Sequence, residues 1–206
     1  LNAGADLETS LKAVDFAQKY EMFYASVGCH PHDVKDLDEN TIKLFKGLAK
    51  KPKVCAIGEI GLDYYYDHSP RDIQQYWFRR QIRLAHEVNM PIIIHDRDAN
   101  EDTMNILKEE NAFPLGVVMH CYSGSAEMAK QYIKLGAYIS IAGTVTFKNA
   151  RKLIEVVQTI PLEYLLIETD APYLTPEPFR GKRNESSYVK YTAEKVAEIK
   201  GISFEE

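Results

Sequence analysis

Residues Ile92–Arg97, with the sequence IIIHDR, give the clearest indication of the fold of this chain. Pro91 ends the helical pattern before them, and a short β-branched run bounded in this way is typical of a parallel strand buried on both faces. The run ends in an imidazole, a carboxylate and a guanidinium. Parallel α/β enzymes place their chemistry at the carboxyl ends of their strands, so His95 is the first candidate functional residue.

The same pattern recurs in three other apolar runs, each of which ends in a possible metal ligand. These runs are Val54–Glu59, Val117–His120 and Leu165–Asp170, and intervals of 36, 25 and 50 residues separate the four ligands in chain order. About 25 residues suffice for one strand, one returning helix and two short loops. The longest interval therefore predicts an additional βα unit, whose strand is Ala137–Ala142.

This repetition predicts an α/β fold in which the strands form one barrel, as a single domain over residues 1–206. The hydrophobic content of 45% is enough for one substantial core. A complete eight-stranded barrel needs about 250 residues. Because the sequence has 206 residues, we expect its first strand and its last helix to be missing from it.

Composition narrows the classes of protein that the chain can represent. A net charge of −5 argues against a broadly basic surface for nucleic acid, although it leaves room for a local basic patch. The three cysteines, Cys29, Cys55 and Cys121, lie in or beside predicted strands, which favours reduced thiols. No apolar run approaches 18 residues. We therefore expect a soluble cytoplasmic protein without a membrane partner.

Glu59, His95, His120 and Asp170 are predicted to face one mouth of the barrel. Two imidazoles and two carboxylates form a site for a hard to borderline divalent cation that activates water. Each residue alone has another interpretation, since a histidine after a strand can be a hydrogen-bonded, partly buried residue and Asp170 could cap the next segment. Their shared spacing favours the metal site.

Residues near these ligands are candidates for binding an anionic substrate. His30 and His32, in the sequence GCHPH, could be a metal pair, but Pro31 and the loop position favour contact with a substrate phosphate. The other candidates are Arg97, Tyr122, Ser123, Arg180 and Arg183. The arginines could instead form a solvated charge run.

Two further features flank the predicted ligands. Glu168 lies two residues before Asp170, and we predict that it orients a metal ligand without itself binding the metal. Tyr64–Tyr66 follow the strand of Glu59 and could either stack on bases or pack their own loop.

Six motifs together resemble those of the TatD family of metal-dependent deoxyribonucleases. They are GCHPH at 28–32, GEIGLDY at 58–64, PIIIHDRDA at 91–99, HCYSG at 120–124, ETDAPYL at 168–174 and PFRGKRNE at 178–185. The resemblance covers nearly the whole chain. It implies a TIM-type (β/α)8 barrel of the amidohydrolase superfamily, one or two divalent ions (Mg, Mn or Zn), and exonuclease action on DNA.

The resemblance also implies that Glu59, His95, His120 and Asp170 match the metal ligands of the family. Many family members carry a further His-x-His pair on the first strand, in a region that we expect to precede Leu1. The sequence thus predicts a deoxyribonuclease in which metal-activated water cleaves phosphodiester bonds and Asp170 also acts as general base. DNA is the expected substrate, and a monomer without an obligate protein partner is the expected state.

Two other functions stay open at this point. A barrel with the same ligands could hydrolyse an ester or amide, such as a lactone or an aminoacyl-tRNA bond. A barrel that has lost catalysis could instead act as a binding protein. Assays on both types of substrate with the same series of metals would separate these alternatives.

Overall fold

The computed structural model describes residues 1–206, which divide into two compact units. The first unit is Leu1–Val118 and the second is Met119–Glu206. Seven strands and seven α-helices alternate along the chain, beginning with a strand. This alternation is the βα pattern that the spacing of the strand endings predicted.

The first unit contains the elements up to the start of the fifth strand. They are β1 (Asn2–Ala3), α1 (Leu7–Lys19), β2 (Ala25–Val27), α2 (Glu39–Ala49), β3 (Val54–Asp63), α3 (Arg71–Val88), β4 (Ile92–Arg97), α4 (Asn100–Glu109) and β5 (Val117–Met119). The strands β1, β2, β3 and β4 are neighbours in that order, and each pair is parallel. Ile57, Ile60, Leu62, Ile92 and Ile94 of β3 and β4 are fully buried. Burial of these apolar side chains on both strands explains why the IIIHDR stretch forms a strand.

The third strand is longer than the sequence predicted. The predicted run ends at Glu59, but β3 continues to Asp63 and pairs with β4 there. Gly61 is opposite His95 and has a φ of 144°, and a Cβ at this position would collide with the carbonyl oxygen of His95. The glycine therefore permits close strand contact rather than ending the strand.

Helix α3 begins without a side-chain cap. The sequence SPRD at 69–72 predicts Ser69 as the cap, but Pro70 occupies the N-cap position. The Ser69 hydroxyl instead donates to the carbonyl oxygen of His32 (2.9 Å) and accepts from the amide of Lys35 (3.2 Å). Ser69 thus fixes the segment that follows β2.

The second unit continues the alternation. Its elements are α5 (Ala126–Lys134), β6 (Tyr138–Ile141), α6 (Arg151–Thr159), β7 (Leu165–Ile167) and α7 (Val189–Lys200). Strands β6 and β7 are parallel neighbours, and Ser125 caps α5 by accepting from the amide of Met128 (3.2 Å). The prediction extended the last strand to Asp170, but β7 ends at Ile167, so Glu168 and Asp170 lie in the segment after it.

The α/β fold with its repeated strand–helix units is confirmed, including the additional strand predicted within Ala137–Ala142. A closed eight-stranded barrel and a single domain over residues 1–206 stay predictions. None of the helices combines the length and the apolar character needed to cross a bilayer.

Candidate metal centre

Three potential metal ligands meet in the first unit: His30, Glu59 and His95. One ligand atom from each residue lies within 4.8 Å of the others. Nδ1 of His95 is 2.9 Å from Oε1 of Glu59, and Nε2 of His30 is 3.7 Å from the same oxygen. Two imidazoles and a carboxylate are ligands that a borderline divalent cation accepts, so the donor set fits such an ion.

Neighbouring strands and a buried glutamine position this cluster. Glu59 lies in β3 and His95 in β4, which are directly paired. His30 follows β2, where its amide donates to the carbonyl oxygen of Ala5 (2.8 Å). Beside it, the buried amide of Gln81 accepts from the Cys29 amide (2.8 Å) and donates to the Cys29 carbonyl oxygen (3.0 Å). The loop of His30 is therefore held by hydrogen bonds from two directions.

His30 was predicted to contact a substrate phosphate, and the structure places it where it can serve in either of its two candidate roles. Its Nδ1 accepts from the amide of His32 (3.2 Å), which leaves the proton of the neutral ring on Nε2. Burial, followed by the neighbouring His95, lowers the pKa of His30 to about 3, so the ring is neutral at pH 7. An Nε2–H group suits a phosphate oxygen, whereas metal binding at Nε2 requires the other tautomer.

Asp63 is a site residue that the spacing of the strand endings does not predict. Its Oδ2 is 2.9 Å from Nε2 of His95 and 2.9 Å from Nε2 of His32, and its side chain is fully buried. The available signal was a lone carboxylate between Leu62 and Tyr64 in an apolar strand, because such a charge is costly without partners.

The charges of this cluster stabilise each other. Burial alone would raise the pKa of Asp63, but hydrogen bonds from His95, the Tyr66 amide and His32 outweigh it and lower that pKa. Burial likewise opposes the charged form of His95, but Asp63 and Glu59 outweigh it and raise the pKa of His95 to about 9. The two flanking carboxylates thus favour the protonated form of this imidazole.

A second cluster lies in the second unit, around His120. Glu168 accepts from Nδ1 of His120 (2.8 Å) through Oε2 and from the amide of Cys121 (2.7 Å) through Oε1, and the Ser140 hydroxyl donates to it (2.7 Å). Nε2 of His120 is 3.5 Å from Oδ1 of Asp170. The backbone of Asp170 has a positive φ of 56°. Glu168 therefore contacts a predicted ligand from the side away from Asp170. The sharing of one site by all four predicted ligands stays a prediction.

The tyrosines after β3 separate into two groups. The Tyr64 hydroxyl donates to Asp102 (2.6 Å), and burial, together with Asp102, raises the pKa of Tyr64 to about 12. Tyr65 and Tyr66 are 58% and 49% exposed, and the guanidinium of Arg97 lies 4.1 Å and 4.8 Å from their ring centroids. Tyr64 thus packs the loop, while the other two rings and Arg97 form an exposed cation–π cluster.

The remaining candidates for substrate binding lie in the second unit. Tyr122 is buried and its hydroxyl donates to the carbonyl oxygen of Ser125 (2.8 Å), whereas Ser123 is exposed. Arg180 lies 3.9 Å from the centroid of the Phe147 ring and donates to the Thr175 carbonyl oxygen (3.2 Å). Contact of Tyr122, Ser123 and Arg180 with a substrate stays a prediction.

Arg183 lines a depression of about 310 Å³, together with Ala171, Pro172, Asn184, Glu185 and Ser186. The side chain of Asn184 donates to the carbonyl oxygens of Thr169 (2.6 Å) and Tyr173 (2.5 Å). This buried amide ties the loop of Arg183 to the segment on either side of Asp170.

Parallel strands that bring imidazoles and carboxylates together define the chain as an α/β protein with a candidate centre for a divalent cation that activates water. The whole chain, residues 1–206, matches the family described as TatD related DNase. It therefore belongs to the TatD family, and it is a metal-dependent hydrolase of that family.

Individual relatives agree with this assignment. The chain is 55% identical over 203 residues to the metal-dependent hydrolase YabD of Bacillus subtilis. The matched region covers 98% of this chain and 80% of YabD. It is 42% identical over 178 residues to the metal-dependent hydrolase YcfH of Escherichia coli, covering 86% of this chain and 67% of YcfH. The crystal structure of YjjV, a TatD homologue from Escherichia coli, superimposes with a TM-score of 0.92 at 28% identity, covering 98% of this chain and 79% of YjjV.

Proposed function

We propose that this protein is a deoxyribonuclease that hydrolyses phosphodiester bonds at the end of a DNA strand. The observation that carries the proposal is the meeting of two proposed metal ligands, Glu59 and His95, with His30, a proposed phosphate contact; one atom of each lies within 4.8 Å of the others. The family description, TatD related DNase, supports DNA as the substrate.

Glu59, His95, His120 and Asp170 are the residues that would hold one or two divalent ions, of Mg, Mn or Zn. The chemistry supplied by such an ion is a lowered pKa for water and polarisation of a phosphoryl oxygen. Glu168 orients His120 through its contact with Nδ1, which leaves Nε2 of that ring towards Asp170.

Asp170 is the proposed general base. Its carboxylate accepts a proton from the attacking water as the water oxygen bonds to phosphorus. The bond from phosphorus to the leaving oxygen breaks, and the proton passes from Asp170 to that oxygen. The products are one phosphate monoester and one free hydroxyl, so no further reactant is needed.

Positive and polar side chains would hold the substrate around the reacting phosphate. His30, His32 and Arg97 in the first unit, and Tyr122, Ser123, Arg180 and Arg183 in the second, are the proposed contacts. The depression lined by Arg183 and the exposed rings beside Arg97 support contacts of this kind, since DNA presents phosphates and bases together.

We also propose that the strands of this chain belong to an eight-stranded (β/α) barrel, and that the protein acts in the cytoplasm as a monomer without an obligate partner. The three free cysteines support a reducing compartment. The alternation of strands and helices supports the barrel.

A direct assay separates the candidate functions. The protein is incubated with single-stranded DNA labelled at either end, and separately with a lactone and an aminoacyl ester, in the presence of Mg²⁺, Mn²⁺ or Zn²⁺. The proposal predicts shortening of the DNA that stops on addition of EDTA. Turnover of the esters alone would identify an ester hydrolase, and metal binding without any turnover would identify a binding protein.

A further inference from the structure

Both carboxylate oxygens of Asp63 accept hydrogen bonds. Oδ2 lies 2.9 Å from Nε2 of His95 and 2.9 Å from Nε2 of His32. Oδ1 accepts from the backbone amides of Tyr65 (3.1 Å) and Tyr66 (2.8 Å). The side chain has no exposed surface. Four donors around one buried carboxylate fix its orientation as well as its charge.

The backbone of Asp63 is held as firmly as its side chain. Oε1 of Gln74, a fully buried residue of α3, accepts from the Asp63 amide (2.8 Å). Nε2 of Gln74 donates to the carbonyl oxygens of Asp63 (3.1 Å) and Ser69 (2.8 Å). The carboxylate therefore has a fixed position relative to β3 and α3.

This fixed carboxylate determines how His95 presents its ring. An ionised carboxylate only accepts hydrogen bonds, so the nitrogen of His95 that faces it must carry a proton. Nδ1, the other nitrogen, is 2.9 Å from Oε1 of Glu59 and belongs to the cluster of His30, Glu59 and His95. We propose that Asp63 is a positioning residue that holds a proton on Nε2 of His95 and thereby reserves the lone pair of Nδ1 for a divalent cation. This inference rests on the metal centre of the proposed function.

The same carboxylate connects the metal centre to its surroundings. Through Oδ2 it also orients His32, a proposed phosphate contact, and through Oδ1 it holds the turn that carries Tyr65 and Tyr66. Asp63 thus links one ligand to two proposed elements of substrate binding. Partners of this kind commonly set the tautomer of a metal-binding histidine.

The test compares Asp63→Asn with Asp102→Asn. An ionised carboxylate only accepts hydrogen bonds, whereas an asparagine side chain carries an NH₂ donor. In Asp63→Asn this NH₂ group must face either the Nε2–H group of His95 or the backbone amides of Tyr65 and Tyr66. Asp102 is a matched control, since its carboxylate accepts from the hydroxyl of Tyr64 (2.6 Å) and from Gln75 (2.9 Å). Isothermal titration with Mn²⁺ should show an affinity about 10- to 100-fold weaker for Asp63→Asn. The control should retain the affinity of the unsubstituted protein.

A second measurement needs no variant and so does not depend on one folding. Histidine labelled with ¹⁵N reports by NMR which ring nitrogen carries the proton in the Zn²⁺-loaded protein. The proposal predicts a proton on Nε2 of His95 and none on Nδ1. A proton on Nδ1 overturns it, and so does an equal Mn²⁺ affinity for Asp63→Asn and Asp102→Asn. If the unsubstituted protein binds neither cation, the metal centre of the proposed function falls together with this inference.

Discussion

Charged hydrogen-bond partners orient individual side chains of this protein. Each oriented ring then presents one defined nitrogen to the candidate site. In the second unit, Oε2 of Glu168 accepts a hydrogen bond from Nδ1 of His120 (2.8 Å). Nε2 of the same ring lies 3.5 Å from Oδ1 of Asp170. Such an arrangement fixes the tautomer of the ring and raises its basicity as a ligand. The function of a predicted ligand therefore depends on a residue that need not touch the metal ion.

Replacing Glu168 by glutamine should weaken catalysis without removing any predicted ligand. The amide cannot accept from both Nδ1 of His120 and the Cys121 amide, so we expect kcat/KM for DNA to fall by about 10- to 100-fold. Hydrolysis of a labelled single strand at fixed Mn²⁺ concentration measures the effect. Glu163→Gln, at an exposed position, is the control and should match the unsubstituted protein. Equal rates for both variants would contradict the assignment.

The exposed rings beside Arg97 should contribute to binding of the DNA strand. Stacking on a base contributes about 1–3 kcal/mol, so Tyr65→Ala should raise KM for single-stranded DNA by about tenfold with a smaller effect on kcat. Tyr65→Phe keeps the ring and should behave like the unsubstituted protein. An unchanged KM in Tyr65→Ala would assign the ring to packing alone.

Strands and helices differ in how well the sequence alone defines them. The strand Ile92–Arg97 was predicted because an apolar β-branched run between a proline and polar residues has one simple interpretation. The end of β3 was missed because Gly61 resembles a loop residue in the sequence, yet its role depends on the carbonyl oxygen of His95 in the neighbouring strand. Asp63 was missed for a related reason, since its partners come from three separate parts of the chain.

The core of these paired strands should dominate the stability of the first unit. Ile94 is fully buried in β4, and its replacement by alanine should lower the free energy of unfolding by about 2–5 kcal/mol. Ile94→Val removes a single methylene and should cost about 0.5–1.5 kcal/mol. Urea denaturation followed by circular dichroism measures both. A cost below 1 kcal/mol for the alanine variant would mean that this strand is not part of a packed core.

Ion pairs between α3 and the end of α4 should make stability depend on pH. Arg83 donates to both oxygens of Glu110 (2.8 Å and 2.7 Å), and this interaction, opposed by burial, lowers the pKa of the Glu110 carboxyl. A lowered carboxyl pKa stabilises the fold above the unfolded pKa of about 4.3, and the contribution disappears as pH falls through the folded value.

Glu110→Gln should therefore cost about 0.5–1 kcal/mol at pH 7 and less at pH 3, below the unfolded pKa of about 4.3. Urea unfolding at the two pH values measures the difference. The same cost at both values would show that the ionised carboxylate is not the source of the stability.

The assignment to the family of metal-dependent hydrolases agrees with what the ordered motifs of the sequence predict. The sequence could indicate that Glu59 and His95 lie near each other, because both follow a repeated strand pattern. It could not show that His30 joins them, since the interpretation of GCHPH depended on a loop whose position is fixed by Gln81 from α3. Residues far apart in the chain gain their roles only from the packing of those elements.

His95 is proposed to belong to a metal centre that hydrolyses DNA. The most direct test measures hydrolysis of a labelled single-stranded oligonucleotide, with and without Mn²⁺, by the unsubstituted protein, His95→Ala and His86→Ala. His86, exposed on α3 and 2.9 Å from the Glu110 carbonyl oxygen, is the control. We predict Mn²⁺-stimulated hydrolysis that His86→Ala retains and His95→Ala loses. Undiminished metal-stimulated hydrolysis in His95→Ala would contradict the claim.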